Sequence, residues 1–69
     1  MSEEDREKLR VLLDHWVEHN EEHNEKFKEW AEKAGNIGES GVRDDILEAV
    51  KQMNSVNRSL TSAADRLKR

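Results

Sequence analysis

The three histidines of the chain stand four residues apart, at His15, His19 and His23. Residues at this spacing lie on one face of an α-helix, so two neighbouring imidazoles can chelate a single divalent ion such as nickel or zinc. All three cannot share one ion, because a rise of 1.5 Å per residue separates His15 from His23 by about 12 Å. Either His15 with His19 or His19 with His23 could share an ion. The metal hypothesis is placed on His19 and His23, because His23 falls inside the apolar stripe, His19 on its edge and His15 on the flank.

A metal held by two imidazoles needs a further ligand, because zinc sites in proteins have three or four protein ligands. That ligand would come from Glu22, from Met53 or from a second subunit. Imidazole suits zinc, nickel or copper, whereas a thioether from Met53 favours copper(I). The alternative interpretation is structural, with His15 and His19 in solvent and His23 packed without a metal.

Asn20, His23 and Asn57 are predicted to form a polar layer inside an otherwise apolar seam. Polar groups at such positions commonly specify the register or the orientation of packed helices. They can instead line a pocket for a ligand or a metal at the centre of a bundle. The first interpretation is favoured, because a satisfied buried network already explains the residue types.

Catalytic patterns find little support in the sequence. The chain contains no cysteine, and its three glycines do not form a phosphate-binding pattern. A di-iron bundle needs Glu three residues before each histidine, but those positions hold Leu12, Trp16 and Asn20. We therefore expect a protein that is not an enzyme.

Composition favours long helices that expose one face and bury a narrow stripe. Only 33% of the 69 residues are hydrophobic, 41% are charged, and the mean hydropathy is −1.11. Residues 1–34 hold eleven acidic and six basic side chains, a net charge of −5, which disfavours a nucleic-acid partner. No apolar run approaches the roughly 20 residues of a membrane span. A cytoplasmic protein without a membrane partner is the expectation.

The chain is predicted to be one all-α domain, 1–69, with a helix at about 3–34, a loop at 35–41 and a helix at about 42–67. Ser2 is placed to cap the first helix, and Gly35 is expected to end it in a left-handed conformation. Ser40 or Gly41 is placed to cap the second helix. A short loop favours an antiparallel hairpin.

Both helices carry seam residues at alternating spacings of three and four, which is typical of left-handed helix packing. The predicted seam of the first helix is Leu9, Leu13, Trp16, Asn20, His23, Phe27, Trp30 and Ala34. The predicted seam of the second helix is Ile46, Ala49, Met53, Val56, Leu60, Ala63 and Leu67. The three aromatic residues are expected to anchor this core or an interface rather than to form a stacking platform.

Further apolar residues widen the stripe beyond one seam. They are Leu12, Val17, Ala31, Val42, Leu47, Val50 and Ala64. A lone hairpin would leave much of this surface in water, so we expect a homodimer that forms a four-helix bundle.

Three segments carry a resemblance to a known family. They are His15-Trp16, His19-Asn20-Glu21-Glu22-His23 and Phe27-Lys28-Glu29-Trp30-Ala31. Together they resemble a small prokaryotic helical-hairpin domain of unknown function with a His-Trp-x-x-His-Asn-x-x-His signature. Some members stand alone, and others are fused to CooT-type nickel-binding proteins. The resemblance implies a helical hairpin with a link to nickel handling, and it implies no activity.

Two functions follow as hypotheses. The first is a non-enzymatic interaction or oligomerisation module whose partner is a second copy or another protein. The second is a small metal-binding protein that holds nickel or zinc with histidines of the first helix.

Overall fold

Two α-helices packed against each other make up the fold. The computed structural model describes residues 2–68, with α1 at Glu3–Asn36 and α2 at Ser40–Leu67. The hairpin is long and thin, measuring 53 × 14 × 14 Å between Cα atoms. The predicted all-α hairpin is therefore confirmed. No helix within residues 2–68 has both the length and the apolar character needed to cross a membrane.

The start of α1 follows the local signals in the sequence. The Ser2 hydroxyl accepts a hydrogen bond from the Asp5 backbone N–H at 3.1 Å. The acidic first turn, Glu3, Glu4 and Asp5, lies at the positive end of the helix dipole. This helix end is thus stabilised by residues within one turn of each other.

The loop is shorter than predicted, because Gly35 does not end α1. Gly35 lies inside the helix, where a Cβ would stand 3.1 Å from the Arg43 side chain, so the residue permits a close approach. Gly38 instead adopts the left-handed conformation, with φ of 86°. The Glu39 N–H then donates to the Ala34 carbonyl at 2.9 Å, which completes a Schellman-type end. The connection is reduced to residues 37–39.

The predicted side-chain cap of α2 is also absent. Ser40 is the first residue of the helix, so its side chain lies past the capping position. Glu39 takes that position, but its side chain makes no capping hydrogen bond. The Glu39 carbonyl accepts from the Arg43 N–H at 3.0 Å. The start of α2 is therefore held by backbone bonds.

Ion pairs between described residues join side chains at most four apart in sequence. The tightest joins Glu7 to Arg10 at 2.7 Å, and the carboxylate raises the pKa of Arg10 above its ordinary value. Such exposed local pairs contribute little to stability. The two helices are held together by the seam between them.

The seam consists mainly of small apolar residues. The buried apolar residues are Leu13, Ala31, Ala34, Val50 and Ala64. Half-buried residues extend this core towards both ends of the hairpin, and they include Leu9, Phe27, Ile46, Met53, Leu60, Ala63 and Leu67. Because alanines occupy the α1 side near the loop, the helices approach closely there.

The phase of α1 differs from the predicted seam at three positions. Val17, Asn24 and Ala31 face α2 in place of Trp16, His23 and Trp30, a rotation of about 100°, or one residue. The physical reason is space: Ala31 is 1% exposed, and a tryptophan in its place would force the helices apart. In α2, Val50 and Asn57 likewise replace Ala49 and Val56.

Candidate functional site

Among residues 2–68, six of the eight large apolar residues that remain exposed lie on one side of the hairpin. We call them the apolar flank: Leu12, Trp16, Trp30, Ile37, Val42 and Val56. At about 100° per residue, the four α1 members fall within roughly 60° of one another around the helix. The other two lie on the same side of α2. Trp16 and Trp30, predicted as core or interface anchors, therefore lie outside the hairpin core, with exposures of 42% and 58%.

An open cavity of about 530 Å³ shows that the flank continues across both helices. Trp30 and Ile37 line it from α1, and Val42 and Ile46 line it from α2. It lies beside the loop, where the alanine-lined seam brings the helices close. The cavity offers apolar side chains as its main contacts, so it suits an apolar side chain of another surface.

The opposite flank is polar. A cavity of about 490 Å³ on that side is lined by Glu18, Glu21, Glu25 and Lys28 of α1, with Asn54 among its α2 residues. The two exposed apolar residues outside the apolar flank, Val11 and Leu47, stand singly. The hairpin therefore has one side suited to apolar contact and one suited to water.

All three histidines are exposed, and His19 and His23 lie between Trp16 and Trp30 along the apolar flank. The rings of His15 and His19 are stacked with centroids 6.1 Å apart, and the rings of His19 and His23 meet edge to face at 4.5 Å. Glu22 and Lys26 complete a shallow cavity with His19 and His23. The structure therefore brings together the pair on which the metal hypothesis depends.

Of the further ligands considered within the chain, Met53 lies elsewhere, and Glu22 lines the same cavity but does not complete a metal-binding group with the described residues. Met53 is half-buried in the seam, on the α2 side. Within residues 2–68, no three side chains among histidines, aspartates and glutamates are grouped so that they could hold a metal ion. The Lys26 ammonium beside the pair also disfavours a cation there. A single chain offers two imidazoles.

A ladder of asparagines crosses the seam between the helices. Asn20 Nδ2 donates to Asn57 Oδ1 at 3.0 Å, and Asn24 Nδ2 donates to Asn54 Oδ1 at 3.0 Å. Asn24 Nδ2 also lies 3.3 Å from the Val50 carbonyl oxygen. His23, predicted as a member of this layer, is exposed and takes no part in these bonds.

Asn24 and Asn54 are not part of the predicted polar layer, although the sequence contains a signal for them. In an antiparallel hairpin the numbers of facing residues have a nearly constant sum. That sum is 77 for Asn20 with Asn57 and 78 for Asn24 with Asn54. Two asparagines on each helix at matching sums therefore indicate a two-step ladder.

Asn24 is the one buried polar side chain within residues 2–68. It is 4% exposed, and its Oδ1 oxygen accepts no hydrogen bond from the described residues. Leaving a buried acceptor without a partner costs about 1–3 kcal/mol. The ladder therefore favours one register of the helices at a cost in stability.

Comparisons with known proteins identify the family but no function. Searches of the curated proteins and of the solved structures found no match. A family model for a domain of unknown function matches residues 9–67, which is nearly the whole hairpin. The chain therefore belongs to the DUF8180 family, a domain of unknown function.

Proposed function

We propose that this DUF8180 chain is a non-enzymatic self-association module whose apolar flank packs against a second copy to form a four-helix bundle. The observation that carries the proposal is the position of the six exposed apolar residues on one side of the hairpin. Single exposed apolar residues need no explanation, but these six share one side of the hairpin, with His19, His23 and Lys26 between the two tryptophans. Exposed apolar residues grouped in this way among polar ones are typical of an interaction site.

The size of this surface supports the proposal. An aromatic side chain carries about 150–250 Å² of surface, so the two half-exposed tryptophans alone present on the order of 200 Å² to water. The four aliphatic members of the flank add to that area, and monomeric soluble proteins rarely leave apolar patches larger than a few hundred Å² exposed. Covering Trp16, Trp30 and their neighbours would also supply apolar burial that a 69-residue hairpin with an alanine-rich seam lacks.

The non-enzymatic part of the proposal is supported by the residue types on the surface. The chain has no cysteine, and the exposed imidazoles of His19 and His23 have Glu22 and Lys26 as cavity neighbours. These side chains are common on solvated helices. The arrangement therefore needs no catalytic explanation.

The test is the oligomeric state of the purified chain. We expect a dimer by sedimentation equilibrium at micromolar concentration, and a melting temperature that rises with protein concentration. Trp30→Glu should shift the chain to monomer without unfolding it, because Trp30 is 58% exposed in the hairpin. Val11→Glu, on the side away from the flank, is the matched control and should leave the dimer intact.

A monomer at high concentration, with a melting temperature that does not change with concentration, would refute the proposal. Equal effects of Trp30→Glu and Val11→Glu would refute the assignment of the surface. Circular dichroism of both variants checks that each remains helical.

The second candidate function is the binding of a divalent ion, nickel or zinc, by His19 and His23. The specific observation in its favour is the edge-to-face pair with centroids 4.5 Å apart. Two imidazoles on one helical face suit a transition ion. The proposed link to nickel handling, including the fusion to CooT-type proteins, depends on the resemblance of the histidine signature.

A further inference from the structure

Each helix carries a second row of residues at heptad spacing, beside the seam that packs within the hairpin. The outer row of α1 is Leu12, Trp16, His19, His23, Lys26, Trp30, Lys33 and Ile37. The outer row of α2 is Val42, Asp45, Ala49, Gln52, Val56, Ser59, Ala63 and Arg66. All of these side chains are exposed except Ala63, which is half-buried. Two adjacent heptad rows on every helix are what a four-helix bundle requires.

The two outer rows differ in the size of their side chains. The α1 row contains both tryptophans, two histidines and two lysines, whereas five of the eight residues in the α2 row are alanine, valine or serine and the other three are Asp45, Gln52 and Arg66. A packed layer needs large residues opposite small ones. The α1 row therefore fits an α2 row better than it fits another α1 row.

The register of such a contact follows from symmetry. A two-fold axis parallel to the helices leaves the height of every residue unchanged. The partner's α2 then stands beside α1 at the same height as the α2 of the same chain. Facing residues across the interface must therefore have nearly the same sum as the asparagine ladder, which is 77 or 78.

This register pairs the outer rows along their whole length, with sums of 78 or 79. The facing pairs, with the α1 residue first and the residue of the partner's α2 second, are Ile37–Val42, Lys33–Asp45, Trp30–Ala49, Lys26–Gln52, His23–Val56, His19–Ser59, Trp16–Ala63 and Leu12–Arg66. Both tryptophans meet alanines, and Lys33 meets an aspartate. The heptad spacing of the two rows produces these pairs without any shift in register.

We propose that the second copy docks with its loop at the same end, so that α1 of each chain packs on α2 of the other around a two-fold axis along the bundle. We call this arrangement the aligned dimer. This inference depends on the proposed self-association, and it specifies how the partner is oriented. The only other closed arrangement of two copies through this side has the axis across the bundle. This crossed arrangement places α1 against α1, with large residues facing large ones and the Lys26 side chains of both copies near the axis.

The dimensions of the hairpin are adequate for a stable dimer. One side is 53 Å long and 14 Å wide between Cα atoms, which projects to about 740 Å². Standard protein interfaces bury about 800 Å² per partner. A stable dimer therefore needs contact along the whole length of the flank, and the aligned dimer provides that contact.

The orientation of the two copies determines where segments attached to their termini would lie. In the aligned dimer, both loops lie at one end of the bundle and both pairs of termini lie at the other. The apolar cavities beside Trp30 and Ile37 of the two copies then face each other at the loop end. Segments attached to the two chains would emerge side by side.

The orientation is tested by measuring distances between spin labels. Because the chain contains no cysteine, Glu39→Cys introduces a single labelling site in the loop. In the aligned dimer the two loop labels should be separated by roughly 10–20 Å, one to two interhelical distances. In the crossed arrangement, whose axis lies near Lys26, the loop labels should be separated by roughly 40 Å, because Glu39 lies about 20 Å along the helix direction from that axis. Lys8→Cys at the other end should again give a short distance in the aligned dimer, and roughly 55 Å in the crossed one.

Disulfide formation tests the register. A mixture of the His19→Cys and Ser59→Cys variants should give a cross-linked heterodimer in excess over either homodimer. A mixture of Glu18→Cys and Ser59→Cys is the matched control, because Glu18 lies on the opposite, polar flank. Long distances at both labelled ends would overturn the orientation while leaving self-association intact. Equal cross-linking of the control would overturn the register. A monomer by sedimentation would overturn both the inference and the proposed function.

Discussion

Replacing the buried asparagine of the ladder by leucine should stabilise the protein. Asn24 is 4% exposed, and it donates to Asn54 Oδ1 and lies near the Val50 carbonyl, while its own oxygen has no partner among residues 2–68. Asn24→Leu removes that oxygen together with both donated bonds. Asn54 is exposed, so water can satisfy its freed side chain.

The magnitude follows from three contributions. Two neutral hydrogen bonds are worth about 0.5–1.5 kcal/mol each, and an unpartnered buried oxygen costs about 1–3 kcal/mol, so these contributions nearly cancel. Burying a leucine side chain contributes about 1.5–3 kcal/mol, less whatever its larger volume costs in overpacking. We expect Asn24→Leu to raise the free energy of unfolding by about 1–2 kcal/mol, or roughly 5–15 °C in melting temperature.

The assay is urea unfolding followed by tryptophan fluorescence, with all variants at one protein concentration. Glu25→Leu is the matched control, because it adds the same side chain at the next, exposed position, and it should change stability by less than about 0.5 kcal/mol. Asn54→Ala should cost up to about 1 kcal/mol, since Asn24 keeps its contact with Val50. An Asn24→Leu variant less stable than the parent would refute the reasoning and show that the ladder is net stabilising.

The remaining predictions concern the seam, the loop and the histidines. Leu13→Ala should lower the free energy of unfolding by about 2–5 kcal/mol because Leu13 is buried, whereas Val11→Ala should change it by less than about 0.5 kcal/mol. Similar losses in the two variants, measured by urea unfolding, would contradict the observed phase of α1. Gly38→Ala should cost about 1–2 kcal/mol, because φ of 86° is strained for alanine although its Cβ would meet no atom within 4 Å. If the metal hypothesis holds, zinc or nickel should raise the melting temperature in calorimetry, and His19→Ala or His23→Ala should each remove that rise. A His19→Ala variant that responds as the parent does would eliminate this hypothesis.

Local chemistry made the two helices and the start of α1 predictable. Ser2 and the acidic first turn act within a few residues, so the start of α1 can be read directly from the sequence. The end of α1 was harder to predict, because either Gly35 or Gly38 is able to adopt a left-handed conformation. In the hairpin Gly38 adopts that conformation, while Gly35 stays helical beside the Arg43 side chain of the other helix. That contact exists only after the hairpin has closed.

The phase of α1 was the main error, and its cause is visible in the sequence. Two heptad rows run side by side, one through Leu13, Val17, Asn20 and Asn24 and the other through the apolar flank. The predicted seam combines residues of both rows, because it assigns tryptophan and histidine to the core in preference to alanine and asparagine. Hydrophobicity alone does not say which row packs within the chain.

The sequence by itself determined that the chain forms two amphipathic helices, because their periodicity, the first cap and the glycines are properties of neighbouring residues. Tertiary structure alone decided which row closes the hairpin. That decision depends on how closely two backbones approach: Ala31 and Ala34 allow a narrow seam, and the asparagine ladder finds its partners only across it. The large side chains of α1 are left on the outside for the same reason, since the narrow seam has no room for them.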